Sequence, residues 1–177
     1  HVVLVPLLAV LASADDTREM LPGTVDAPPS VPIINGTVED EFPAAVGLGA
    51  GGFTLCSGSL ITPRMVLTAA HCSEEIPLEF IVAFGQAFFG TDAASPDDSI
   101  GFADSVTHPD YRPLSSPDLG AFDLAILILD EDAEVAPVWF RTEPLGEAQA
   151  EGARVMSVGF GLDESGASGT KRSARLI

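Results

Sequence analysis

A histidine set between small residues and a cysteine is the first feature of this sequence that could carry chemistry. Segment 56–72 reads CSGSLITPRMVLTAAHC, so an apolar stretch ends in two alanines directly before His71 and Cys72. Imidazole exchanges protons near neutral pH, and proton transfer is efficient only when the ring is held in place. An apolar strand that ends in a small-residue turn would hold it. The pattern predicts a general base, with a buried structural histidine as the alternative.

The two cysteines of the chain, Cys56 and Cys72, bracket this segment. In an exported protein an even pair of cysteines indicates a disulfide, and closing a loop of this size would stabilise the fold by about 3 kcal/mol. Such a bond one residue after His71 would also fix the position of the ring. The alternative is a metal site in which His71 is the third ligand beside the two thiolates.

A second candidate is the aspartate that directly precedes the most apolar run. Residues 122–129 read FDLAILIL, so Asp123 begins a predicted strand. A buried carboxylate at this point can accept the N–H of an imidazole, which sets its tautomer and stabilises the charged ring. Asp118 and Asp130 lie nearby, but neither directly precedes the run. The alternative role for Asp123 is that of a turn residue that caps the strand.

Short apolar segments between turn-forming residues predict the elements that position these side chains. The segments are 44–48, 53–61, 65–69, 80–84, 100–106, 124–129 and 154–160. Glycine and proline are plentiful, at 17 and 14 residues, and no long amphipathic helix lies between the segments. This pattern favours an all-β barrel or sandwich, with loops at 90–99 and 109–121 and a connector at 133–152. A chain of 177 residues that is 46% hydrophobic can bury one core and part of a second.

The first 32 residues differ in composition from the rest of the chain. Residues 2–11 form a short apolar run before an Ala-Ser-Ala triplet, as at the end of a secretory signal peptide. The run is shorter than the about 20 residues that a membrane-spanning helix needs. We predict a partial signal peptide over 1–14, which begins before His1, and a polar, proline-rich propeptide or linker over 15–32. A strand of the mature fold is the alternative for the apolar run.

The charge of the chain restricts its partners. The formal net charge is −18, and Lys171 is the only lysine beside seven arginines. Such a surface repels phosphate backbones and anionic lipid, so we expect neither a nucleic-acid partner nor a membrane partner after signal removal. Three aspartates crowd one loop, which predicts a solvated acidic loop without a cofactor, with a calcium ion bound by their carboxylate oxygens as the alternative. They are Asp92, Asp97 and Asp98.

Taken together, these motifs resemble one family. The order C-x-G-x-L-I and then V-L-T-A-A-H-C in segment 56–72 resembles the region of the catalytic histidine in trypsin-like (chymotrypsin-fold, S1) serine proteases. FDLAILIL resembles the segment that carries their aspartate, and histidine precedes aspartate in the family's order. Three further segments are similar to the mature N-terminus, to an H-P-x-Y motif and to the opening of the second barrel. They are IINGT at 33–37, HPDY at 108–111 and VGFG at 158–161.

The resemblance implies a fold and a function. The fold is a double β-barrel over 33–177, with the first barrel at about 33–135 and a truncated second barrel at about 150–177. The function is that of a secreted, monomeric serine endopeptidase without a cofactor, acting on protein or peptide substrates. His71 would be its general base and Asp123 the partner of that base. Ile33 would be the mature N-terminus and Cys56–Cys72 a disulfide, while His108 would be structural or exposed.

The sequence departs from the family at the nucleophile. The family's serine lies in a G-D-S-G-G segment, which this sequence lacks. The nearest string, GASG, places Ser168 soon after Asp123, in a predicted loop and without the preceding aspartate. We expect the nucleophile and its oxyanion hole beyond residue 177 and this chain alone to be inactive. Pro32 precedes Ile33 where family zymogens are cut after a basic residue, which leaves the activation site open. The alternative function is an inactive homologue with a binding or regulatory role.

Overall fold

The computed structural model describes residues 33, 35–74, 78–113, 121–143 and 154–176. The predicted signal peptide and propeptide therefore lie outside the described residues. Nine strands and two short helices follow one another in the described part. They are β1 (Thr37–Val38), β2 (Ala45–Ala50), β3 (Phe53–Thr62), β4 (Met65–Thr68), α1 (His71–Glu74), α2 (Leu78–Phe84), β5 (Gln86–Phe89), β6 (Asp98–Thr107), β7 (Ala125–Leu129), β8 (Val155–Gly159) and β9 (Arg172–Leu176).

Six strands close into an antiparallel barrel in the order β2-β3-β4-β7-β6-β5, and β5 pairs back with β2. Side chains alternate between the inside and the outside of such a barrel because successive residues of a strand point to opposite faces. In β7 this places Ala125, Leu127 and Leu129 in the core, while the two isoleucines between them are only partly buried. The all-β barrel that the sequence predicts is thus present.

The barrel core holds most of the apolar side chains of the predicted strands. Its largest fully buried members are Phe89, Leu60, Leu129, Val46 and Val66. Burying a side chain of this size contributes about 1.5–3 kcal/mol relative to leaving it in water. The core therefore gives the rim of the barrel, where β4 ends and β7 begins, a rigid base.

The prediction of a strand over 80–84 is wrong, because these residues form most of α2. A short apolar run has no periodicity that separates a strand from a helix. In the helix, Ile81 is buried against the barrel while Phe80 and Phe84, four residues apart, pack with their ring centroids at 4.9 Å. The neighbouring segment 86–89 supplies the barrel strand instead. Neither described helix has the length and the apolar character to cross a membrane.

A second sheet lies beside the barrel and has the order β1-β9-β8. Its first strand comes from the N-terminal segment, since Thr37 pairs with Ser173 and Val38 with Arg172. β8 and β9 form an antiparallel pair over five residues each. In the described residues this second unit is a three-stranded sheet and not a closed barrel.

Phe160, directly after β8, joins the two units. Its ring is 1% exposed and packs with Phe88 and Ala93 of the barrel side. Its backbone N–H donates to the Ser57 hydroxyl of β3 at 2.8 Å. Because a buried backbone donor needs a partner, this bond fixes how β8 meets the barrel.

Lys171 at the start of β9 forms a second junction between the units. The side chain is 1% exposed and its Nζ donates to the Phe42 carbonyl at 3.0 Å. Burial lowers the pKa of this ammonium, although the charges of Glu39, Asp97 and Asp40 oppose the shift. A lone buried cation is costly, so these acidic neighbours make its burial tolerable.

We expect Lys171→Ala to lower the free energy of unfolding by about 2–3 kcal/mol, through a cavity and an unpaired Phe42 carbonyl. Lys171→Met keeps most of the volume but loses the hydrogen bond and the charge that faces Glu39, Asp97 and Asp40, so a smaller loss of about 1 kcal/mol is expected. Urea unfolding of both variants measures the difference. Equal losses in the two variants would contradict a contribution from packing.

Candidate active site

His71 is held where β4 passes into α1. Thr68 ends the strand, and its hydroxyl donates to the Ser57 carbonyl of β3 at 3.0 Å. Ala69 and Ala70 then form the turn and are 9% and 0% exposed, which leaves no room for larger side chains. His71 begins the helix. The small residues before the histidine thus let the chain turn within the packed rim of the barrel.

The Cys56–Cys72 disulfide ties the residue after His71 to strand β3. The two Cα atoms lie 6.1 Å apart, and the bond spans 16 positions of sequence. The metal alternative required free thiolates at both cysteines with His71 beside them. The ligand atoms of the three residues do lie within 4.8 Å of one another, but the two sulfurs are bonded to each other. The pair therefore anchors the turn.

Asp123, directly before β7, holds His71 through both oxygens. Oδ1 accepts the backbone N–H of His71 at 2.9 Å, and Oδ2 lies 2.7 Å from the imidazole Nδ1. The Asp123 side chain is 14% exposed and that of His71 is 37% exposed. Strands β4 and β7 are neighbours, with Thr68 paired to Ala125, so barrel closure brings the two residues together.

This geometry sets the tautomer of the neutral ring. An ionised carboxylate only accepts hydrogen bonds, so Nδ1 must carry the hydrogen that it shares with Asp123. In the neutral ring Nε2 then has a free lone pair and can take a proton. The Asp123 carboxylate lies on the opposite side of the ring, with Oδ2 at 2.7 Å from Nδ1. The pair can thus serve as an oriented general base.

Comparison with known proteins shows the family of the chain. A family model described as Trypsin matches residues 33–176. The chain belongs to the trypsin family. Its fold is similar to that of neuropsin, a serine protease expressed in the limbic system of mouse brain, with a TM-score of 0.63 over 81% of this chain and 63% of neuropsin. At 23% identity that likeness concerns the fold alone.

Curated relatives of this trypsin-family chain differ in what their names state. Phenoloxidase-activating factor 1 of Holotrichia diomphalia is 31% identical over 160 residues, covering 76% of this chain and 43% of the relative. Granzyme M of Homo sapiens is 32% identical over 142 residues, with 76% and 51% covered. Glucanase inhibitor protein 2 of Phytophthora sojae is 25% identical over 136 residues, with 75% and 41% covered. The chain thus spans about half or less of the length of these relatives.

Tyr111 is a site-supporting residue to which the sequence analysis gave no role. It is 8% exposed and packs in one cluster with Ala70, which directly precedes His71, and Ala125, two residues after Asp123. Its backbone N–H donates to the His108 carbonyl at 3.0 Å. The HPDY motif of this trypsin-family sequence could have indicated this role, since its tyrosine closes a turn after β6.

Ser168 lies in an exposed loop between β8 and β9. Asp163 organises this loop, because its Oδ1 accepts the Ser165 N–H at 2.8 Å and the Ala167 N–H at 3.1 Å. The hydrogen bond from the Ser165 hydroxyl makes the largest contribution to the lowered pKa of Asp163. Within the described residues the side chain hydrogen bonded to the His71 ring belongs to Asp123. The loop thus has a structural explanation that does not involve catalysis.

Ile33 is 5% exposed, and its backbone nitrogen donates to the Leu162 carbonyl at 2.8 Å. Its role as the mature N-terminus of a trypsin-family enzyme stays a prediction. The three acidic candidates for calcium do not form a group of close ligand atoms in the described residues. Asp92 and Asp98 each use one oxygen on a nearby backbone N–H, of Ala94 at 2.9 Å and of Ser99 at 2.8 Å. The expectation of no cofactor, with a calcium site as the alternative, stays a prediction.

Proposed function

We propose that this chain is part of a secreted serine endopeptidase, in which His71 and Asp123 act with a serine that follows residue 177. The observation that carries the proposal is the two-point hold of Asp123 on His71, through the backbone N–H at 2.9 Å and Nδ1 at 2.7 Å. A turn that served packing alone would not need a carboxylate that contacts both the backbone N–H and the Nδ1 of His71. Membership of the trypsin family supports the reaction class.

In the proposed reaction Nε2 of His71 accepts the hydrogen of the serine hydroxyl as its oxygen attacks the substrate carbonyl. Asp123 stabilises the imidazolium that results. His71 then returns the proton to the leaving amine, and an acyl-enzyme remains. Water attacks the acyl group by the same proton transfers, which releases the second product and restores the serine.

The substrates proposed are proteins or peptides, and the enzyme is proposed to act as a monomer outside the cell. The disulfide supports secretion, because such bonds persist in oxidising compartments. The net charge of −18 is suited to a soluble extracellular surface and unsuited to nucleic acid.

A second candidate is an inactive homologue that binds or regulates another protein. It is favoured by one relative, glucanase inhibitor protein 2, whose name states inhibition. The intact contact between His71 and Asp123 argues for the first candidate, because a binding scaffold has no chemical use for an oriented general base.

The test is to sequence the transcript beyond residue 177 and to treat the encoded full-length protein, after activation, with a serine-directed phosphonate probe. We expect a G-D-S-G-G segment and labelling of its serine. His71→Ala should slow labelling by at least about a thousandfold, because the hydroxyl loses its base. Ser168→Ala is the matched control and should label at the wild-type rate, since Ser168 lies in an exposed turn.

Three outcomes would contradict the proposal. A reading frame that ends without such a segment, or a folded full-length protein that does not label, would favour the binding or regulatory homologue. Loss of labelling in Ser168→Ala, with labelling retained in His71→Ala, would mean that Ser168 is the labelled serine. Our placement of the nucleophile after residue 177 would then be wrong.

A further inference from the structure

Phe122 holds a backbone conformation that aromatic residues rarely adopt. Its φ of 55° lies in the left-handed region, where a bulky side chain is an outlier that persists only when its surroundings enforce it. The next residue is Asp123, and the Leu124 N–H closes back on the Phe122 carbonyl at 2.7 Å. Asp123 is therefore the central residue of a three-residue turn. The direction in which its carboxylate leaves the chain depends on this turn.

His108 is the residue that holds Phe122 from outside. The two rings are stacked, with centroids 5.0 Å apart and planes 11° from parallel. Phe122 is 56% exposed, so burial in a core does not explain the position of its ring. The imidazole is fixed in turn, because the Asp110 N–H donates to its Nδ1 at 3.2 Å. The stack is thus a surface contact with a rigid partner.

The backbone of His108 holds the same turn at a second point. Its N–H donates to the Leu124 carbonyl at 2.9 Å, directly after the last residue of β6. The turn that contains Asp123 is therefore fixed at Phe122 by a side chain and at Leu124 by the backbone, both from one residue. A rotation at Phe122 would have to break the ring contact.

The two contacts of Asp123 with His71 would not tolerate such a rotation. Both of its oxygens are engaged with His71, at 2.9 Å and 2.7 Å, and neither bond survives a shift of about 1 Å with good geometry. Small displacements of a catalytic group away from the reacting atoms are known to cost about a hundredfold in rate.

We infer that Phe122 and His108 are positioning residues, whose stacked rings hold the left-handed turn that aims Asp123 at His71. Their effect on the reaction rests on the proposed function. Their effect on the bond between His71 and Asp123 does not, and it is measurable in this chain as it stands.

The experiment follows the His71 Nδ1 proton by NMR in the 177-residue chain. A strong imidazole–carboxylate bond shifts that proton far downfield and protects it from exchange with water. In Phe122→Gly the turn is still allowed, because glycine adopts positive φ without steric cost, but the stack is lost. His108→Ala removes the stack from the other side. We expect exchange at least about tenfold faster in both variants, with melting temperatures close to that of the wild type.

His108→Phe keeps an aromatic ring for the stack but loses the bond from the Asp110 N–H, so we expect exchange that is slower than in His108→Ala. Phe140→Gly is a matched control, since Phe140 is also half exposed but lies in the connector after the barrel. In the full-length enzyme, Phe122→Gly should lower kcat by about 10–100-fold and leave KM within about twofold, because substrate binding is untouched.

Wild-type exchange in both Phe122→Gly and His108→Ala would overturn the inference. So would exchange as fast in His108→Phe as in His108→Ala, because an aromatic ring at this position would then contribute nothing. A full-length protein that is inactive although its Nδ1 proton is protected would refute the proposed function and leave the positioning role standing. Slow exchange that depends on both rings, together with a loss confined to kcat, supports both.

Discussion

In the full-length enzyme, Asp123→Asn is expected to lower kcat by about ten-thousandfold. The amide oxygen can still accept the backbone N–H of His71, so the turn should keep its shape. The amide nitrogen, however, is a donor where the carboxylate was an acceptor. It favours the tautomer with hydrogen on Nε2, which is the nitrogen that has to take the proton. Steady-state kinetics on a peptide substrate, with melting curves to verify folding, measure the effect.

Asp130→Asn is the matched control for this substitution. Asp130 closes the same apolar run at its other end, is exposed, and uses its backbone groups for its bonds to Gly101 and Arg64. The kcat of the Asp130→Asn variant should stay within about twofold of the wild type, as for a surface substitution away from the site. If Asp123→Asn kept kcat within tenfold of the wild type, Asp123 would be a strand-capping residue and the proposed mechanism would be wrong.

Removal of the disulfide is expected to have the largest effect on stability. For the double substitution Cys56→Ala and Cys72→Ala we expect a loss of about 3 kcal/mol in the free energy of unfolding, because the unfolded chain regains the entropy of an open loop. Domains of this kind are stable by only about 5–15 kcal/mol in total. Guanidinium unfolding of the 177-residue chain measures the loss, and the His71 Nδ1 proton reports whether the turn is still anchored.

Wild-type protein in a reducing agent serves as the control, because it loses the same cross-link without losing the side chains. Its unfolding free energy should lie within about 1 kcal/mol of that of the double variant. A double variant as stable as the oxidised wild type would mean that packing around Ala69 and Ala70 anchors the turn by itself. The disulfide would then have no role in holding His71.

Much of the candidate site was predictable because its signals are local. Segment 56–72 carries the strand, the small-residue turn, the histidine and both cysteines within 17 positions. The placement of Asp123 before an apolar run indicated a strand that begins with a carboxylate, and the structure has β7 begin at Ala125. The prediction that His71 and Asp123 act together came from resemblance to a family and not from the residues themselves. In the structure the pairing of β4 with β7 brings the two residues together, because its register sets Thr68 beside Ala125.

Where prediction failed, the deciding interactions were non-local. Segment 80–84 has the composition of a strand, but the barrel closes through 86–89 and leaves Ile81 to pack from outside as part of a helix. Residues 37–38 are β-branched, but a run of two residues is too short to predict a strand. They pair with β9 because that strand offers them an edge.

The sequence by itself determined which residues could do chemistry, since the types and spacing of His71, Cys72 and Asp123 are written in short segments. It also determined that the chain is a β protein, since alternation and turn residues are local properties. Only the tertiary structure decided that Asp123 contacts the backbone nitrogen and Nδ1 of His71 and that Phe122 takes a left-handed turn against His108. The physical reason is that closure of the barrel brings together residues 52 positions apart, and a strained conformation is retained only where distant contacts outweigh its cost.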